Sequence, residues 1–152
     1  MSSGAWIVVA VVVLGLGFGT YRALTDGRFR GTRQVRDAEP APVVESVETP
    51  WTHVRTAVPT ATLGEKATLL QFSSAFCAPC RATRRTLSEV AEVVPGVEHL
   101  EIDAEHHLEL VRRLGILRTP TTLVLDATGA EVTRAAGAPR KEQVLAALVS
   151  VK

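Results

Sequence analysis

Ser2 to Tyr21 carries no charged side chain, and Ala5 to Phe18 consists almost wholly of Ala, Val, Ile, Leu, Gly and Trp. About twenty such residues in a helix, rising about 1.5 Å each, span a hydrocarbon core of about 30 Å. Trp6 and Tyr21 stand near the two ends, where amphipathic rings prefer the interface. The pattern predicts an uncleaved transmembrane anchor over residues 1–24 that meets lipid through residues 5–21. A cleaved signal would begin with a basic segment and end at a small-x-small site. No Lys or Arg precedes Arg22, and no convincing site of that kind follows the run. A lipoprotein signal would need a cysteine directly after the run, and the first cysteine is Cys77. Gly15 and Gly19 form a Gly-x-x-x-Gly pair that suits helix dimerisation, although glycine is common in membrane helices generally. Arg22, Arg28, Arg30, Arg33 and Arg36 all follow the run. The positive-inside rule therefore predicts a single-pass protein with its globular part on the cytoplasmic side.

The next stretch, residues 25–59, reads as a linker. Pro40, Pro42, Pro50 and Pro59 punctuate it, charges are scattered, and large apolar groups are few. Trp51 to Val58 offers a weak strand through Val54 and Val58. A domain is expected over residues 60–152. Ala67–Phe72 is apolar and strand-like; Cys77–Val94 has helical spacing, stopped by Pro95-Gly96. Val97–Ile102 reads as a strand ending at Asp103, and Glu105–Leu114 as a short amphipathic helix ended by Gly115. Thr121–Leu125 and Glu131–Ala136 form a hairpin across a turn at Ala127–Ala130, and Lys141–Val149 is a closing helix. Alternation of this kind predicts an α/β class, a central mixed sheet flanked by helices. No internal repeat is seen.

Composition narrows the function. Net charge is +1 and aromatics are 5% of residues, so nothing marks a nucleic-acid surface. The two cysteines, Cys77 and Cys80, stand two residues apart, which excludes a disulfide framework and would close too short a loop to stabilise much. Without a third and fourth ligand at suitable spacing, a zinc site is not expected, and His106 and His107 read as a solvated face.

What the spacing does suit is chemistry. Cys77 falls where an apolar strand gives way to a helix, so its sulfur is expected near unpaired N–H groups that favour the thiolate. Pro79 suits the first helical turn, where a missing N–H costs nothing. Cys77 would attack a substrate disulfide, and Cys80, one turn along, would resolve the mixed disulfide.

Phe76-Cys77-Ala78-Pro79-Cys80-Arg81 after Leu70-Gln71-Phe72, followed about forty residues later by Arg118-Thr119-Pro120-Thr121-Thr122, resembles thioredoxin. The resemblance covers residues 60–152 and implies a thioredoxin-like fold and a thiol–disulfide oxidoreductase. It implies catalytic Cys77 and Cys80, and a substrate groove at Phe76, Ala78, Pro79, Thr119, a cis Pro120 and Gly137. It further implies protein disulfides as substrates, no cofactor, and a flavin-containing thioredoxin reductase as partner. The sequence departs from the family in five places, two of them Ala78 for the usual glycine and Arg81 for the usual lysine. Phe76 stands for the usual tryptophan, Gln71 for a buried aspartate, and His99 for a neighbouring lysine. His99 is thereby a candidate proton relay. Two other readings stay open: a thioredoxin-like adaptor module without turnover, and an extracytoplasmic oxidoreductase for disulfide formation or cytochrome assembly.

Overall fold

Ala67–Ser73 is buried at every position, which marks a strand covered on both faces. In the computed structural model this strand, β2, lies inside the sheet around which the molecule is built. The structure describes residues 3–25, 29–31 and 48–151. Its elements are α1 (Ser3–Thr25), β1 (Phe29–Gly31), α2 (Pro50–Ala57), β2, α3 (Ala78–Val93), β3 (Val97–Asp103), α4 (Leu108–Arg113), β4 (Thr121–Asp126), β5 (Glu131–Ala136) and α5 (Lys141–Val149). The five strands run in the order β1-β5-β4-β2-β3. β2 pairs parallel to β3 and antiparallel to β4, while β4–β5 and β5–β1 are antiparallel. The sheet is mixed and flanked by helices, as expected.

The two-residue period of β2 divides the core. Leu70 and Phe72 face one layer, where Trp51 and Val54 of α2 meet Leu110, Leu123 and Leu125. Ala67 and Leu69 face the other, against Leu87 and Val90 of α3 and Val144 and Ala147 of α5.

Two elements differ from expectation. The stretch from Trp51 is the helix α2, not a strand, and it belongs to the packed domain although it lies inside the expected 25–59 linker. Pro50 opens it, and Trp51 and Val54 fall three apart on one buried face. The Trp51 N–H donates to the Gly129 carbonyl at 3.3 Å. Gly129 has φ +81°, and a Cβ there would collide with the Trp51 side chain. The rest of the expected linker, apart from Thr25 at the end of α1, β1 and residues 48–59, lies outside the described residues. α4 begins at Leu108, three residues later than expected. Asp103 accepts the Glu105 N–H at 2.8 Å, and His106 Nδ1 lies 2.8 Å from its other oxygen. These bonds hold a turn where the helix was expected to start.

The expected anchor falls on α1, a helix of 23 residues. Its side chains are described from Trp6 to Arg22, and the large apolar ones among them, such as Val8, Val12, Leu14 and Phe18, are exposed. Among the described residues no helix is long and apolar enough to cross a membrane.

Candidate active site

The site grows from the C-terminal end of β2. Beyond Ser73 the chain turns and enters α3 with Cys77 as the residue capping its N-terminus and Pro79 in the first turn. Cys77 and Cys80 form a disulfide with Cα atoms 5.2 Å apart. The Cys80 N–H donates to Cys77 Sγ at 3.1 Å. A helix start thus aims a backbone donor at this sulfur, which stabilises negative charge there. The two cysteines differ in access: Cys77 is half-buried, Cys80 is 1% exposed. Phe76, Ala78 and Pro79 are exposed around them.

A second loop meets this one. The Thr119–Pro120 peptide is cis, as expected, and Pro120 is buried while Thr119 is half-buried. The Ser74 and Thr119 hydroxyls lie 3.1 Å apart, which ties the two loops together. The Gly137 N–H donates to the Pro120 carbonyl at 2.7 Å. Gly137 has φ +102°, a region that favours glycine. The structure therefore joins Thr119, Pro120 and Gly137 to the cysteine loop through Ser74. Leu117, which the sequence did not single out, is 96% exposed beside the same loop and adds an apolar surface to that of Phe76.

Behind the disulfide lies a polar chain in the core. Gln71 is fully buried. Its Nε2 donates to Ser73 Oγ at 2.7 Å and to the Cys80 carbonyl at 3.0 Å. Its Oε1 therefore faces His99 Nε2 at 3.2 Å, while His99 Nδ1 lies 3.0 Å from Ser88 Oγ. These partners assign the ring proton to Nε2, with Nδ1 accepting from Ser88. Burial pushes the His99 pKa below its ordinary value; Glu101 opposes this and Arg84 adds to it. Both ring nitrogens are occupied, and among the described residues no hydrogen bond joins His99 to a sulfur. As placed, the ring holds Gln71.

On the other flank Arg84 of α3 pairs with Glu101 of β3 at 2.6 Å. Arg81 and Arg85 lie on the exposed surface of α3. Ser74, Ser88, Glu101 and Leu117 escaped the sequence reading because each matters only through a neighbour on another element. The register that sets Gln71 opposite Glu101 and Leu69 opposite His99 is the signal that would have found the pairings.

The comparisons with known proteins agree with this geometry. A model of the family described as "Thioredoxin-like domain" matches residues 54–152. The thioredoxin of Alicyclobacillus acidocaldarius subsp. acidocaldarius is 34% identical over 89 residues, covering 58% of this chain and 84% of its own length. A thioredoxin H-type from Oryza sativa subsp. indica is 29% identical over 77 residues, 51% of this chain and 62% of its own length. In structure the chain resembles Fasciola hepatica thioredoxin with a TM-score of 0.52 at 22% identity, over 59% of this chain and 84% of that one.

Proposed function

The chain belongs to the thioredoxin-like domain family, and on that premise we propose that it is a thiol–disulfide oxidoreductase that reduces or exchanges disulfides in other proteins. One observation carries the reading: a disulfide at the N-terminus of α3, with Cys77 the more accessible sulfur and Cys80 buried behind it. In the reduced protein the Cys77 thiolate, favoured by the Cys80 N–H, attacks one sulfur of a substrate disulfide. The other substrate sulfur leaves as a thiolate and takes up a proton. Cys80 then attacks Cys77 Sγ, releases the second substrate thiol and restores the disulfide. Phe76, Ala78, Pro79, Thr119, Pro120 and Gly137 form the surface that takes the substrate segment, and the Thr119 backbone pairs with it as an added strand. His99 acts in this scheme as a positioning residue through Gln71. A flavin-containing thioredoxin reductase is the proposed source of electrons.

We further propose that residues 1–24 taken whole, of which the described side chains from Trp6 to Arg22 are only a part, anchor the protein in a membrane as a single pass, with the domain on the cytoplasmic side. The charge-free run from Ser2 to Tyr21 supports the anchor, and the arginines from Arg22 onward support the sidedness.

Reduction of insulin disulfides by the native chain and by Cys77→Ser tests the activity. Turnover that disappears in the variant supports the reading; absent turnover in both sinks it. An adaptor module is the second reading, favoured by Gln71, an amide that cannot exchange a proton at the buried position. It predicts substrate capture that survives Cys77→Ser. Labelling intact cells with a membrane-impermeant maleimide after an impermeant reductant tests the sidedness. Protection until lysis supports the cytoplasmic domain; labelling from outside favours the extracytoplasmic alternative.

A further inference from the structure

Three residues, 26–28, separate the end of α1 at Thr25 from the start of β1 at Phe29. Four steps between successive Cα atoms extend at most about 14 Å. Phe29 is therefore never farther than that from the end of α1, whatever path those residues take. β1 in turn is part of the sheet: Phe29, Arg30 and Gly31 stand opposite Ala135, Arg134 and Thr133 of β5. Without β1 the outer side of β5 would present unpaired N–H and C=O groups. The next described residues of the domain begin at Glu48. Held only from there, the domain would hang on residues 26–47, which extend to about 80 Å. The pairing of β1 with β5 shortens that reach about six-fold.

The register also fixes which end of the sheet α1 reaches. β5 runs towards Gly137, and β1, antiparallel to it, begins at that same end. One row across the sheet holds Phe29, Ala135, Thr122 and Gln71, and Gln71 donates to the Cys80 carbonyl at 3.0 Å. Gly137 lies two residues beyond Ala135, about 7 Å along β5 and about 5 Å across from β1. Its N–H donates to the Pro120 carbonyl at 2.7 Å. Gly137 is thus no more than about 23 Å from the end of α1. Entry at the opposite end of the sheet would have added the length of a strand, about 23 Å for seven residues.

We propose that β1 clips the domain down with its cysteine end at the bilayer, so that the disulfides it reduces are those held within about 20 Å of the membrane surface, on membrane proteins. The inference rests on the oxidoreductase and anchor readings above and adds the substrate class. The charge-free run ends at Tyr21 with Arg22 directly behind it, which puts the end of α1 at the interface. A disulfide on a protein in bulk solution has to enter the gap between domain and lipid, whereas one at the bilayer surface already lies in it.

The test uses the reduced full chain in lipid vesicles and a three-stranded coiled coil held upright by lipid on all three chains. The coil has about thirty residues per chain, about 45 Å at about 1.5 Å each. A disulfide to a coloured thiol stands either at its foot or at its top. Each turnover oxidises the Cys77–Cys80 dithiol to the disulfide, reduces the linkage on the coil and releases the coloured thiol. The native chain should react with the foot at least about tenfold faster than with the top, because a site that a leash does not span has almost no effective concentration. Inserting about twenty Gly/Ser residues between Asp26 and Gly27 lengthens the leash and leaves β1 in place, so reaction at the top should rise about tenfold. Phe29→Pro with Arg30→Pro removes ladder donors of β1 and should do the same. A charged aromatic disulfide in solution should react equally with all three. Equal native rates at foot and top overturn the proposal. So does a proline variant that keeps the native preference while it reacts with the soluble disulfide. If the proline variant does not fold, an insertion variant with the native preference overturns the proposal instead. A native chain inert to the soluble disulfide sinks the oxidoreductase reading, and one that does not float with the vesicles sinks the anchor; either takes this inference with it.

Discussion

Gln71 shows how much one buried amide holds together. It spends its two donors on Ser73 and the Cys80 carbonyl and its acceptor on His99. Gln71→Leu keeps the volume roughly but leaves the Ser73 hydroxyl and the His99 N–H without partners in the core. Each orphaned group costs about 1–3 kcal/mol, so urea denaturation should show a loss of about 2–5 kcal/mol. Unchanged stability would mean that water replaces the amide. His99 sets a pH dependence through the same contacts. Burial lowers its pKa in the folded state, with Glu101 opposing and Arg84 adding. The unfolded chain therefore binds a proton first as pH falls below about 6.5. The stability that His99 contributes is present above that value and is lost as pH falls through its lower folded value. Denaturation curves from about pH 8 to about pH 5 should show this fall, and His99→Gln should reduce it. At this scale the sequence displayed the cysteine pair, the cis Pro120 and the positive-φ Gly137 well. Few residue types serve as paired thiols, as a cis proline or at positive φ. The network behind them was visible only as departures, Gln71 and His99, because the direction of each amide depends on what stands on the next strand.

Among the elements, α2 carries the clearest test. Trp51 and Val54 fill one core layer beside Leu70 and Leu123, and the Trp51 side chain rests against Gly129 in the β4–β5 turn. Trp51→Ala removes the largest side chain of that contact and should cost about 3–5 kcal/mol, a large part of an ordinary domain's stability. A thermal melt lowered by only a degree or two would show that α2 merely lies on the surface. The boundaries of β5 and α5 were legible to the residue, and those of β2 within one, because turn residues or glycine and proline flank them. α2 was misread because its few apolar residues lie among Thr, His and Arg, so its burial comes from the domain it docks on. α4 was read too long because a helical pattern in Glu105–Leu114 does not show that Asp103 captures the first turn's donors.

For the whole molecule, the proposed anchor can be challenged by a single charge. Val12 lies near the middle of α1 and is exposed. An arginine at the centre of a spanning helix costs about 2.5–3.5 kcal/mol on insertion scales. Val12→Arg should shift part of the protein from the carbonate-resistant membrane fraction to the supernatant. The native chain in the supernatant would defeat the anchor. The two cysteines of this sequence are both in the disulfide at the start of α3, and on the proposed function this makes the states of the chain countable. Redox states of the chain can be sorted by counting labels per molecule. Zero labels means the oxidised form, two means the reduced form, and one marks a molecule caught in mid-reaction with its partner still attached. A mass spectrum of labelled protein therefore reads the occupancy of each step of the cycle, with no silent thiol to blur the count.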